Sequence, residues 1–261
     1  MVESLHAPSQ SEVVVPKLHG MLIVVPVHNE EELLARCLAT IETAVNYFHE
    51  EYNNTRVAVV VVLDNCTDES REITLRFAEN RSYMNLLFID DGNTGTSRAA
   101  GIDHGLHLLC TNEPDWTNEN IWIASTDADS MVPKDWLTGF AGLALAGVDV
   151  VLGTVEPDPE ELAPVLYERW TASYTLEDGH NHIHGANLGV RASAYKEVGG
   201  FKDLKLNEDV DLVNRLRSAE YSVHATKAIH VITSARLESR VEGGFAEFLA
   251  SLKDTTTEPL A

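Results

Sequence analysis

Asp127 and Asp129 stand two apart in STDADS (125–130), directly after the apolar run IWIAS (121–125). Two carboxylates at a bend can offer oxygen ligands to a hard divalent cation such as Mg²⁺ or Mn²⁺. Such an ion neutralises a diphosphate and stabilises it as a leaving group. The same residues also read as a polar turn, and spacing alone does not separate the two. Glu208 and Asp209 open NEDVDLVNRL (207–216), a helix start with Asn207 as cap. They either complement the helix N-terminus or include a general base. Asn29 and Glu30 lie in VPVHNEEELL (25–34), where Asn29 can cap a helix with Glu32 at its third position. Asp64, in LDNCTDES (63–70), can accept from a nucleobase N–H or close an Asx-turn.

Two further clusters carry candidate chemistry. DGHNHIHGANLG (178–189) has His180, His182 and His184 at alternating positions, on one face of an extended chain. A zinc site there needs a fourth ligand, and no Cys or His pair lies nearby in sequence. The other readings of the stretch are a catalytic pocket wall and a surface accident. Arg236 and Arg240, four apart, share a face if helical and can clamp a diphosphate by bidentate bonds, or are surface cations. Gly243-Gly244 can hinge a lid. Trp170 and Tyr174, at i, i+4, can stack on a sugar, but core packing of a helix accounts for them as well.

The elements that must position these residues alternate. Apolar runs at 21–27, 56–63, 85–90, 121–125 and 148–153 read as strands, the longer ones buried on both faces. Helical spacing follows over 30–52, through Ile73 and Phe77, over about 97–109, and over about 134–146. This βα alternation predicts an α/β fold with a mostly parallel sheet flanked by helices. In such sheets ligands bind at the carboxyl ends of strands, which selects 26–30, 64–68, 90–97 and 126–130. No G-x-G-x-x-G follows the first strand and no P-loop motif occurs, so a Rossmann dehydrogenase or P-loop enzyme is poorly supported.

The 261 residues, 44% hydrophobic and 23% charged, suit one large α/β domain or two small ones. A net charge of −22 excludes the basic surface of a nucleic-acid binder. No stretch approaches the roughly 20 apolar residues of a membrane span, and the N-terminus lacks the pattern of a signal peptide. A cytoplasmic location is the expectation. Cys37, Cys66 and Cys110 read as reduced thiols in or near the core.

Taken in order, VPVHNEEELL, LDNCTD, TGTSRAAGIDHGL (94–106), TDADS and GANLGVRASAYKEVGGF (185–201) with NEDVDL resemble the family 2 glycosyltransferases of the GT-A fold. The resemblance covers about residues 20–240. It implies a Rossmann-like nucleotide-binding sheet with a contiguous acceptor-binding C-terminal part. The organisation expected is a flexible arm (1–19), one domain over 20–250 with its nucleotide-sugar half at 20–130 and acceptor half at 131–250, and a flexible tail (251–261).

The resemblance also implies roles. Glu30, Asp64 and backbone at Pro26 and Val27 would contact the nucleoside, and Arg98 would lie beside the base or diphosphate. Asp127 would hold the ribose or support a metal, and Asp129 would ligate it. A late histidine can complete such a metal shell; His230 is the candidate, or else a structural histidine. Asp209 would be the base and Glu208 would position the acceptor, with the loop at Gly185, Ala186 and Asn187 under sugar and acceptor, and with His182 and His184 as pocket-wall residues for sugar hydroxyls or an acceptor phosphate. The activity implied is inverting, metal-assisted (Mn²⁺ or Mg²⁺) transfer from a UDP- or GDP-sugar to a small-molecule or lipid-linked hydroxyl, by a chain that can dimerise. The alternatives are a nucleotidyltransferase, whose Gly-rich loop VPVHNEE lacks, and a non-catalytic sugar-nucleotide binding protein. His28 stands where the family often has Tyr, Leu63 where many members have Asp, and Asn65-Cys66 where Gly-Ser is common.

Overall fold

In the computed structural model, residues 17–111, 113, 115–238 and 244–253 are described. The strands are β1 (Gly20–Val27), β2 (Arg56–Asp64), β3 (Met84–Ile89), β4 (Ile121–Ser125), β5 (Ser130–Met131), β6 (Val150–Pro157), β7 (Leu188–Arg191) and β8 (Val223–Thr233). The helices are α1 (Leu34–Glu51), α2 (Ser70–Ala78), α3 (Thr94–Cys110), α4 (Trp136–Leu145), α5 (Pro164–Ser173), α6 (Ala192–Glu197), α7 (Glu208–Ser218) and α8 (Phe245–Ser251).

All eight strands join one sheet in the order β3-β2-β1-β4-β7-β6-β8-β5. Strands β3, β2, β1 and β4 are mutually parallel, which continuous apolar runs predict. The chain order reverses across β1, between β2 and β4, and that switch point opens the crevice in which α/β sheets bind ligands. Strand β7 then inserts antiparallel between β4 and β6. At four residues it is too short to show a period, and the sequence reading missed it.

The sheet is covered on both faces because successive strand residues point to opposite sides. Met21, Ile23 and Val25 of β1 pack with Leu38, Ile41, Val45 and Phe48 of α1 and with Trp136 and Phe140 of α4. Leu22 and Val24 pack with Ile102, Leu106 and Leu109 of α3 and with Leu212 and Leu216 of α7. A smaller cluster joins Leu166 and Trp170 of α5, Tyr174, Ala235 and Leu249 of α8. Trp170 is fully buried there, so its i, i+4 spacing with Tyr174 reflects core packing. Cys37 is buried, and Cys66 and Cys110 are half-buried; all three are free thiols.

Helix α3 lies unusually close to the sheet. A Cβ on Gly101 would come within 2.6 Å of both Val24 Cγ1 and Val62 Cγ2. This contact carries the start of α3, with Asn93 to Arg98, down onto the ends of β1 and β2.

Two expected caps are corrected. Helix α1 begins at Leu34, and Leu33 rather than Asn29 is its N-cap, without a side-chain bond. Asn29 has φ 53°, and its Oδ1 instead accepts from Thr67 N at 2.8 Å. Asn207 does hold the N-cap position of α7, but at φ 58° its side chain makes no capping bond; capping side chains act from extended backbone. Of the expected N-terminal arm, residues 1–16 lie outside the described residues. Lys17 and His19 are tied to the sheet through Asn120. Of the expected tail, 254–261 lie outside the described residues. Among the described residues no helix is long and apolar enough to cross a membrane.

Candidate active site

The carboxyl ends of β1, β2 and β4 meet at two adjoining cavities. One, of about 340 Å³, is lined by Pro26, Val27, Glu30, Asp64, Asn93, Thr94 and Ser97. The other, of about 540 Å³, is lined by His182, His184, Gly185, Ala186, Glu208, Asp209, Lys205 and Phe245, among others. Asp127, Asp129, Thr94 and Arg236 line both, and so mark their junction.

In the smaller cavity the chain leaves β1 and β2 through Asn29 and Asn65, both at positive φ. Asparagine tolerates this left-handed backbone better than most residues. The turn brings Glu30 back over the strand end, where its N–H donates to Ser70 Oγ at 2.8 Å. Asp64 is 3% exposed and accepts from Asp91 N (3.0 Å), Gly92 N (2.9 Å), Asn93 N (3.2 Å) and Ser97 Oγ (2.7 Å). Burial alone would raise its pKa, but these donors outweigh it and hold the carboxyl below its ordinary value. Four donors fill the roughly four acceptor positions of a carboxylate. Asp64 therefore builds the 91–97 loop that walls the cavity. Asn93 caps α3, its Oδ1 accepting from Gly95 N and Thr96 N.

At the junction two arginines each bridge two carboxylates. Arg98, 3% exposed, pairs with Asp127 Oδ1 at 2.5 Å and with Glu208 Oε1. It lines the larger cavity and not the smaller one. Arg236 Nη1 lies 3.0 and 3.1 Å from the two Glu30 oxygens, and its Nη2 lies 2.5 Å from Asp129 Oδ2. It follows the end of β8 in irregular backbone, not on a helical turn as expected. Arg240 lies outside the described residues, as does Gly243 of the expected lid. Burial and the neighbouring charge of Asp127 raise the Asp129 pKa, against the pull of Arg236. Burial likewise raises that of Glu208, with Arg98 opposing.

In the larger cavity, Asp209 Oδ2 accepts from Gly185 N at 2.7 Å and Oδ1 from Val210 N at 2.8 Å. Gly185 must be glycine to sit here, since a Cβ would lie 2.4–2.6 Å from the Arg98 guanidinium. His182 stacks on Tyr174 at 3.9 Å between centroids, and His184 Nε2 is hydrogen-bonded to Tyr174 Oη at 2.8 Å. Burial, helped by His182 and His180, pulls the His184 pKa down to about 4, so its ring is neutral at pH 7. The alternating histidines do share one side, with successive rings 5.5 and 6.0 Å apart. Among the described residues, however, no group of three or more His, Cys, Asp or Glu is arranged to hold a metal.

Two expected site residues are placed elsewhere. Asn187 is 1% exposed; its Nδ2 donates to Thr154 O and Ile229 O, and its Oδ1 accepts from Trp136 Nε1. Its amide joins three elements of the core and lines neither cavity. His230 Nε2 lies 3.2 Å from Glu156 Oε2. Thr233, three residues on along β8, bonds Asp129 Oδ1, and strand alternation puts His230 on the opposite face. Lys205, Phe245, Thr94 and Thr233 were not singled out from the sequence. Thr94 begins and Thr233 ends elements whose limits the sequence leaves loose, and Lys205 comes from a segment without a periodic pattern. Phe245 opens α8, and the helical spacing of Phe245, Phe248, Leu249 and Leu252 was the signal that could have found it.

The junction can bind an anionic ligand where a cation offsets its surplus of carboxylates. Asp127 and Asp129 offer hard oxygen donors that fit a divalent cation if a ligand's phosphates complete its shell.

Comparison with known proteins agrees with this geometry. The chain is 22% identical over 224 residues to a probable glycosyltransferase, YdaM of Bacillus subtilis, covering 79% of this chain and 49% of that protein. It thus spans about half the length of that curated relative. Its structure is similar to that of S. aureus TarS in complex with UDP, with a TM-score of 0.58 at 17% identity over 83% of this chain and 61% of that one. It is also similar to the mannosyltransferase PcManGT from Pyrobaculum calidifontis in complex with GDP-Man and Mn²⁺, with a TM-score of 0.56 at 19% identity over 88% and 61% of the two chains. The expected GT-A fold is therefore the fold observed. The model of glycosyl transferase family 2 matches residues 22–198, and the chain belongs to that family.

Proposed function

We propose that this protein transfers a hexosyl unit from a UDP- or GDP-sugar to a hydroxyl acceptor, with inversion at the anomeric carbon. The observation that carries the reading is the junction itself: a carboxylate-rich seam, bridged by Arg98 and Arg236, joins a nucleoside-sized cavity to a larger one holding Asp209. A nucleoside in the smaller cavity would lay its diphosphate along Asp127, Asp129 and Arg236. The sugar would then project into the larger cavity, toward Asp209.

Attack from the larger cavity on an anomeric carbon whose leaving group lies in the smaller one is an in-line displacement, which inverts. Asp209 would take the hydroxyl proton as the C–O bond forms and the diphosphate departs. Its carboxylate is oriented by the Gly185 and Val210 N–H groups, so little reorganisation is needed at reaction. Glu208, tied to Arg98, would shape the acceptor wall. Asp127 and Asp129 would hold a divalent cation, Mn²⁺ or Mg²⁺, which when bound offsets the charge of the departing diphosphate. Arg98 keeps Asp127 fixed for that purpose.

Asp209→Asn tests the assignment. The amide oxygen can still accept from Gly185 N, so the fold and the donor cavity are preserved. Transfer is expected to fall by about a hundredfold to ten-thousandfold, with donor affinity within about threefold. Retained turnover would remove Asp209 as the base. Release of nucleoside diphosphate, rather than pyrophosphate, is expected on turnover.

A further inference from the structure

The two bridging arginines are not equivalent. Arg98 is 3% exposed, enclosed between Asp127, Glu208 and the Gly185 backbone. Arg236 has a side chain 29% exposed and faces both cavities, so a ligand at the junction can reach its guanidinium. Its carboxylate partner is constrained. Asp129 Oδ1 accepts from Thr233 Oγ1 and Ser130 Oγ, each at 3.2 Å, and Asp129 Oδ2 is the oxygen that takes Arg236. The Asp129 side chain is itself only 11% exposed, which leaves little room for two cations around one oxygen. A divalent ion on Oδ2 would meet a guanidinium at close range, with like charges and low local dielectric.

We infer that Arg236 and the divalent cation compete for Asp129, and that a nucleoside diphosphate resolves the competition by giving Arg236 a second anion. This rests on the proposed donor reading of the junction. Diphosphate oxygens complete the shell of an ion held by the protein through Asp127 and Asp129, and the same group accepts the guanidinium in bidentate fashion. Arg236 need not leave Glu30 to do so. It swings from Asp129 to the diphosphate across the junction and keeps its contact with Glu30. Cation and donor thus bind cooperatively through Arg236.

The test is a Mn²⁺ titration of the full chain, following the free-ion electron paramagnetic resonance signal, alone and with UDP or GDP. Mn²⁺–nucleotide association in solution is measured separately and subtracted. Wild-type protein is expected to bind Mn²⁺ at least about tenfold more tightly with one of the nucleotides present than without. Arg236→Gln, which removes the competing charge, is expected to tighten nucleotide-free Mn²⁺ binding by about tenfold and to shrink the nucleotide effect. Arg236→Lys keeps the charge and is expected to stay near wild type without nucleotide. Equal wild-type affinity with and without nucleotide overturns the inference without any variant. Unchanged or weaker nucleotide-free binding in Arg236→Gln also overturns it, and both results leave the donor reading intact. No Mn²⁺ uptake by wild type with either nucleotide would overturn the metal-assisted reading and this inference with it.

Discussion

At the scale of single residues, the site is a balance of carboxylates against two guanidinium groups. Among the described residues, Glu30 and Asp129 touch Arg236 and Asp127 and Glu208 touch Arg98, and these bridges offset the mutual repulsion of the carboxylates. The bridges place the two D-x-D carboxylates differently. Asp127 is held by a buried partner and remains partly exposed to both cavities, while Asp129 is more deeply set and held by a reachable one. Asp129→Ala is therefore expected to abolish the Mn²⁺-dependent part of nucleotide affinity and to leave the metal-independent part within about threefold. Calorimetry with UDP and GDP, with and without Mn²⁺, measures both, and an unchanged Mn²⁺ effect would take Asp129 out of the metal role. Residue type alone did not separate Asn187 from Asn93, since both are asparagines at polar turns. The fold turns Asn187 inward to bond β6 and β8 and leaves Asn93 to cap a helix at the cavity rim.

At the scale of elements, the smaller cavity exists because α3 seats flush on β1 and β2. Its glycine face makes that possible, and Asp64 then captures the three N–H groups of the preceding loop. Gly101→Ala would drive a methyl group into Val24 and Val62, both fully buried and stiff at χ1. The expected cost is about 1–3 kcal/mol of overpacking, partly offset by the better helix propensity of Ala. Chemical denaturation is expected to show lower stability, and donor affinity is expected to fall because the lifted helix carries the 93–98 segment with it. Stability equal to or above wild type would refute the tight seating. Strands β1, β2 and β4 were legible because strands covered on both faces must be apolar throughout. Strand β7 was not, because its place depends on β4 and β6 meeting from distant parts of the chain.

At the scale of the whole molecule, the acid limb of the stability curve carries a signature of the histidine segment. His184 titrates near 4 in the native state and near 6.5 when unfolded. Between those values the unfolded chain binds the extra proton, so stability is complete above about pH 6.5 and declines as pH falls toward 4. The expected loss from this group is about 2 kcal/mol at pH 5 relative to pH 7.5. His184→Gln, which keeps a partner for Tyr174, is expected to flatten that part of the profile in urea unfolding. An identical pH profile in the variant would show that His184 does not titrate as described. His182, with its pKa lowered chiefly by burial, adds in the same direction.

By itself the amino-acid sequence determined the layer architecture and the end of the sheet at which the cavities open. Both follow from periodicity and from which segments interrupt it, and these are local properties of the chain. It also marked Glu30, Asp64, Asp127 and Asp129 as lining the cavities, because a strand end is where the apolar run stops. Only the tertiary structure decided the pairings. Arg98 closes on Glu208 across 110 positions of sequence and Arg236 on Glu30 across 206. His230 faces Glu156, and Asn187 is consumed by the core. Such partners depend on how strands are ordered and which face each presents, and a long-range charge pair leaves no periodic trace in the segments that supply it.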